Sequence, residues 1–127
     1  MTREEIFEYV KQEYGTLPEY LWESSPEHAV LRHSGNAKWY AIVMRVNEQN
    51  LGLQGSKDID VINVKCDPIT VGVLRLQDGF LPAYHMNKDK WISIILDSTV
   101  PKEMIFDLID SSYNAVAPKR KHKSPVI

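Results

Sequence analysis

Between Ala29 and Lys65 the sequence holds three apolar, strand-like runs with no connection between them suited to a crossover, and this limits the possible folds more than any other feature. Ala29 to His33 is β-like, Ser34-Gly35-Asn36 is a turn signal, and Lys38 to Val46 (KWYAIVMRV) is the clearest strand in the chain. Together they read as a hairpin. Asn47 to Lys57 is polar and contains Gly52 and Gly55, a loop or wing-like extension, and Ile59 to Lys65 alternates as a third strand. Parallel neighbours need a crossover of roughly a dozen residues or more, usually helical. The sheet is therefore expected to be largely antiparallel.

The flanking segments supply helices and two more strands. Thr2 with Glu5 forms a capping box, Ile6, Phe7, Val10 and Tyr14 recur near helical spacing, and Gly15 supplies a stop, which predicts a helix over Thr2 to Tyr14. From Leu17 to Pro26 the chain is irregular, with Leu21 and Trp22 expected to plug onto the core. Asp67 and Pro68 suit the cap and first turn of a second helix, whose Ile69, Val73, Leu74 and Leu76 are expected to fill one side before Asp78-Gly79 ends it. Phe80 to Met86, with Pro82 marking an edge or strand entry, and Trp91 to Leu96 read as a hairpin joined by a short polar loop. Pro101 opens a last helix with Met104, Ile105, Leu108, Ile109, Tyr113 and Val116 inward, and Pro118 ends it. The expected order is α-β-β-β-α-β-β-α, an α+β fold with the helices packed on one sheet face. Ile92, Ile94 and Leu96 are expected to meet Ile105, Leu108 and Ile109 directly.

A chain of 127 residues has room for one core, and 43% hydrophobic with 25% charged residues excludes disorder and rod-like repeats. One domain over residues 1–117 is expected, followed by a basic flexible tail over 118–127. No apolar run approaches the roughly 20 residues of a membrane span, and the acidic, amphipathic start is unlike a signal peptide, so a cytoplasmic location and no membrane partner are expected. Charge is uneven along the chain: residues 1–30 carry net −5 and residues 117–127 net +4, against −2 overall. The lone Cys66 can form no intramolecular disulfide and lacks the companions of a zinc knuckle.

Candidate chemistry concentrates in Tyr84-His85-Met86-Asn87-Lys88. A loop presenting a phenol, an imidazole, an amide and an ammonium could grip a phosphate or sugar. The same residues could also serve the fold, Asn87 making the turn, Tyr84 and Met86 filling the core and His85 satisfying a carbonyl. Lys38, Lys65, Lys88 and Lys90 could form a basic rim, with Trp39 and Trp91 as stacking faces for unpaired bases. Strand alternation would set Trp39 with Ala41 and Val43, and Tyr40 with Ile42 and Met44. The tail residues Lys119, Arg120, Lys121 and Lys123 offer a generic footprint for a phosphate backbone. His28 and His33 fall on opposite faces of a strand and make a poor metal pair. Neither a Gly-rich phosphate loop, a Gly-x-Ser-x-Gly elbow nor paired metal-ligand spacing is present, so no enzyme, cofactor or metal is expected.

Four stretches taken together, Lys38-Trp39-Tyr40-Ala41, Val64 to Pro68, Pro82 to Lys88 with Trp91-Ile92, and Ser111-Ser112-Tyr113, carry a family resemblance. Over roughly residues 20 to 123 the chain resembles the MmcQ/YjbR family of small bacterial proteins. The string Tyr84-His85-Met86-Asn87-Lys88 followed by Trp91 is its most specific part. Where that family often has a histidine just before the tryptophan this chain has Lys90, so no role for that histidine carries over. The resemblance implies a frataxin-like (CyaY-like) sandwich and a family label of DNA-binding protein. Two functions are thus expected in competition. One is weak, sequence-nonspecific DNA binding through the strand hairpins and the basic tail. The other is a non-enzymatic module that binds another protein or a small ligand.

Overall fold

The computed structural model describes residues 1–118; the expected tail cations Lys119, Arg120, Lys121 and Lys123 lie outside the described residues. Its elements are α1 (Arg3–Tyr14), β1 (Ala29–Arg32), β2 (Trp39–Asn47), a 3-10 turn at Glu48–Leu51, β3 (Asp58–Lys65), α2 (Pro68–Leu74), β4 (Phe80–Pro82), β5 (Trp91–Ile95) and α3 (Lys102–Val116). The order is the one expected. The capping box at Thr2 and Glu5 is formed, and Gly15 closes α1 at φ 68°, a left-handed conformation that costs a glycine little. Asp67 accepts from the Thr70 N–H to cap α2, with Pro68 in its first turn.

The five strands form one sheet in the order β1-β2-β3-β5-β4, and every neighbouring pair is antiparallel. One sheet face carries the helices. Ile6 and Val10 of α1, Val71 and Leu74 of α2, and Ile105 and Ile109 of α3 share a core with Tyr40, Val43, Ile62, Val64, Ile92 and Ile94. The direct meeting expected of β5 with α3 is corrected: both contribute to this common core, but α3 packs across β2 and β3, and the helix lying against β5 is α2. Ser112 fixes that crossing: its hydroxyl donates to the Tyr40 carbonyl at 2.5 Å and accepts from the Lys65 N–H at 2.8 Å. Between α1 and α3, Tyr9 stacks on Phe106 and Tyr14 on Tyr113, and Asp110 accepts from both phenols. Burial, and then that carboxylate, push both phenol pKa values far upward.

Three local expectations are corrected. Helix α2 stops at Leu74, short of the Asp78-Gly79 end expected, and Ile69 and Val73 on it and Leu76 in the turn beyond it point to solvent, 81%, 54% and 88% exposed, while Val71 and Leu74 face the core. Both sets have helical spacing, so spacing alone could not tell the faces apart. Trp39 does not share a face with Val43. The β1–β2 register slips between Leu31 and Arg32, so that Leu31 pairs with Ala41 and Arg32 with Trp39. The extra residue, Tyr40, turns into the helix-side core and Trp39 joins Ile42 and Met44 on the other face. Leu21 and Trp22 remain exposed instead of plugging onto the core.

Candidate functional site

The sheet face turned away from the helices is apolar as well. Val30, Ile42, Met44, Val46 and Val61 are buried there, with Trp39, Ile59, Tyr84, Met86 and Ile95 packed around them. Among the described residues no α-helix covers it; Leu51 of the 3-10 turn packs against it, and two irregular segments cover it in part, the chain ahead of β1 and the connection from β4 to β5. Between them lies a cleft of about 440 Å³, within the range of small-ligand sites. Ile42 and Met44 line its floor, Trp22, Ser25 and His28 one side, Tyr84 to Asn87 the other, and Trp39 lies among them.

A buried polar pair holds the second wall. Asn63 of β3 and Ser93 of β5 face one another in register and are fully buried. Ser93 donates to Asn63 Oδ1 at 2.5 Å and accepts from the Tyr84 N–H at 3.0 Å, while Asn63 Nδ2 donates to the Tyr84 carbonyl at 2.9 Å. Both backbone groups of Tyr84 are therefore clamped to the sheet. Satisfying the buried hydroxyl, both ends of the buried amide and both backbone groups of Tyr84 at once gives the loop one well-defined position. The next residue, His85, has φ 57°, a left-handed conformation uncommon outside glycine, and its ring meets the Tyr84 ring edge-on at 3.9 Å. Asn87 turns the chain, its Oδ1 accepting from the Asp89 N–H and its carbonyl from the Trp91 N–H.

The opposite wall is aromatic. Trp22 and Trp39 stand nearly perpendicular, 88° apart with centroids at 5.8 Å, and His28 meets Trp22 edge-on at 6.1 Å. Burial, with nearby His85 adding to it and a bond to the Arg45 backbone opposing it, holds the His28 pKa below its ordinary value. Its imidazole is accordingly neutral near pH 7, with one ring nitrogen a donor and the other an acceptor. Among the described residues, no carboxylate, ammonium or guanidinium lines the cleft, and no three His, Cys, Asp or Glu side chains are grouped to hold a metal ion.

The candidates named from sequence divide into three sets. Tyr84, His85 and Asn87 line the cleft together, although the segment over Ala83 to Met86 is loop and not the strand expected. Lys88 does not belong to a free basic rim, because its ammonium donates to the Ala83 carbonyl at 2.9 Å and closes its own loop. Lys38, Lys65, Lys90 and Trp91 are brought to one end of the sheet, Trp91 paired with Lys65 and the Lys90 carbonyl accepting from the Cys66 N–H. Asp67 and Asp89 sit beside them in sequence, so that end is basic but not purely so. His33 lies on the helix side, stacked on Tyr113 at 4.0 Å, which bears out its separation from His28. The Cys66 thiol is buried in the helix-side core, where burial pushes its pKa up to about 11. Sequence reasoning did not gather Trp22, Ser25, Asn63 and Ser93 into a site. Asn63 and Ser93 did leave a signal, since each interrupts a run of isoleucine and valine.

Comparison with known proteins places the chain in a family. The family model described as YjbR matches residues 4–115. The Bacillus subtilis protein YyaQ is 47% identical over 114 residues, covering 90% of this chain and 97% of its own. YbdF of Escherichia coli O157:H7 is 32% identical over 120 residues, with 91% and 88% covered. Both are described as uncharacterized, so they carry the family and no activity. A crystal structure of a Pseudomonas syringae protein, 40% identical, superposes with a TM-score of 0.89 over 92% of this chain and all of its own. The Deinococcus radiodurans protein DR2400, 23% identical with a TM-score of 0.73 over 96% of this chain and 83% of its own, shares the fold. Among the described residues, no helix is long and apolar enough to cross a membrane.

Proposed function

The chain belongs to the YjbR family, and we propose that it is a non-enzymatic module that binds a small organic ligand in the cleft on the uncovered sheet face. One observation carries this reading: the buried pair Asn63 and Ser93 spends its hydrogen bonds on fixing Tyr84, and with it the wall that the cleft needs. Buried polar groups that serve only stability are readily replaced by apolar ones of like shape. Here they hold a loop whose neighbouring His85 has an unfavourable backbone conformation, a combination typical of ligand sites. The test is a fragment screen on the ¹⁵N-labelled protein. Hits should shift the indole N–H signals of Trp22 and Trp39 and the amides of Tyr84 to Asn87, and Trp22→Ala should weaken them. Hits that leave those signals unmoved would overturn the reading.

A second reading, weak nucleic-acid binding without strong sequence preference, is favoured by the gathering of Lys38, Lys65 and Lys90 at one sheet end. The end of α3 reaches the same β1–β2 turn that holds Lys38, where Asn36 donates to the Val116 carbonyl. If Lys119, Arg120, Lys121 and Lys123 all reach phosphates, log affinity against log salt should have a slope of about −3 to −4. Fluorescence anisotropy with labelled duplex would then show roughly a hundredfold loss between about 50 and 200 mM salt, and truncation after Ala117 would abolish most of it. Absence of binding at the lower salt would dismiss this reading. The finer structural likeness, to a frataxin-like (CyaY-like) sandwich, also belongs to the proposal, and α1 and α3 lying across one face of an antiparallel sheet support it.

A further inference from the structure

We infer that the cleft takes an uncharged, flat heteroaromatic ring whose edge carries hydrogen-bond acceptors and donors; this rests on the ligand-binding reading of the same cleft. Three features of the walls lead there. The first is shape. Trp22 and Trp39 make a right-angled corner, and a flat ring lying parallel to one indole meets the other edge-to-face, the two arrangements aromatic pairs prefer. Ile42 and Met44 close the floor with apolar surface, and methionine sulfur also contacts aromatic rings favourably.

The second is charge. Titratable groups in the walls are limited, among the described residues, to His28, His85 and Tyr84. Arg32, whose guanidinium lies 5.8 Å from the Trp39 ring, is engaged by Glu19 at 2.9 Å and is not a wall of the cleft. An anion or cation entering would give up hydration without gaining a counter-charge. Aromatic walls alone would suit a quaternary ammonium through cation–π attraction, yet such a ligand offers nothing to the polar groups present.

The third is the polar inventory. Asn87 Oδ1 is engaged by the Asp89 N–H, which leaves the amide NH₂ facing a ligand that must supply an acceptor. The neutral imidazole of His28 spends its N–H on the Arg45 backbone and leaves its other nitrogen as an acceptor, and His85 and Ser25 add further polar atoms at the margin. An aliphatic or plain benzenoid guest would bury these without partners, which is unfavourable. Ring nitrogens and exocyclic amino or carbonyl groups on a flat ring meet all three demands.

The experiment titrates the full chain with adenine, toluene, tetramethylammonium and adenosine monophosphate, read by ¹⁵N NMR at low and high salt. Adenine is expected to move the Trp22 and Trp39 indole signals with saturation and to bind at least about tenfold more tightly than toluene or tetramethylammonium, a margin of one hydrogen-bonded edge. The monophosphate should bind no more tightly than adenine. Asn87→Ala should weaken adenine while leaving toluene unchanged, and because Asn87 also shapes its turn, Trp22→Ala, on an exposed residue, provides the independent check. Tighter binding of toluene or tetramethylammonium at the same signals would overturn the ligand class while sparing the cleft as a site. Tighter, salt-sensitive binding of the monophosphate would overturn the uncharged class and favour the lysine end. No response of the indole signals to any of the four would overturn the class and the ligand-binding reading together.

Discussion

Ser93→Ala is expected to cost about 2–4 kcal/mol, although it removes one oxygen from a chain of 127 residues. That oxygen makes two of the three bonds that seat Tyr84. Without it Asn63 Oδ1, on a fully buried side chain, loses its donor, and the Tyr84 N–H loses its acceptor. Each buried polar group left unpaired costs about 1–3 kcal/mol. The lower part of that range applies at Tyr84, whose half-buried position lets water substitute for the hydroxyl. Urea unfolding followed by tryptophan fluorescence reads the result. With a slope of about 2 kcal/mol/M, in the middle of the usual range, the midpoint should fall by about 1–2 M at unchanged slope. Amides of His85 to Asn87 should exchange faster in the same variant, since the loop loses its clamp. Ser111→Ala, at an exposed neighbour of the buried Ser112, is the control and should stay within about 0.5 kcal/mol. A Ser93→Ala midpoint equal to that control would refute the idea that the Asn63 and Ser93 pair holds the cleft wall.

Other consequences follow from the packing and the ionisation. Ile94→Ala should cost about 2–5 kcal/mol in the same assay, because the side chain is fully buried in the helix-side core. Leu74→Ala should behave similarly, whereas Ile69→Gln and Leu76→Gln should each lie within about 0.5 kcal/mol, since those side chains face solvent. His28 is held below its ordinary pKa by burial, so the fold disfavours its charged form. The stability it contributes is present above the unfolded value, about 6.5, and is lost as pH falls through the lower folded value. The melting temperature should therefore drop more steeply below about pH 6.5 in the wild type than in His28→Gln, with parallel curves the contrary result.

Much of the architecture was readable because strand alternation, capping and turn residues agree. Thr2 with Glu5, Asp67 with Pro68, and the runs around Val43, Ile62 and Ile94 each name their element without tertiary information. The site was half readable. Tyr84 to Asn87 stood out as an unusual string, but what makes it a wall is the pair Asn63 and Ser93, drawn from two strands that become neighbours only when β5 inserts between β3 and β4. Alternation alone puts Trp39 on the wrong face because one bulge residue reverses it, and a bulge leaves no mark in a run such as KWYAIVMRV. Trp22 and His28 lie in irregular chain, where no periodicity says which surface a side chain will join. The outward Ile69 and Val73, with Leu76 just past the helix end, show the same limit on a short helix, where apolar residues on two faces cannot be ranked by spacing.

Crystal structures of the protein soaked in turn in several small organic solvents would map where its surface captures organic molecules. If the cleft is the functional site, different solvents should superpose between Trp22, Trp39 and Tyr84, above Ile42 and Met44, and that cluster should disperse in Ser93→Ala. Solvents gathering instead along Ile69 and Val73 of α2 and Leu76 just beyond it, with the cleft holding only water, would contradict the assignment of function to this face of the sheet.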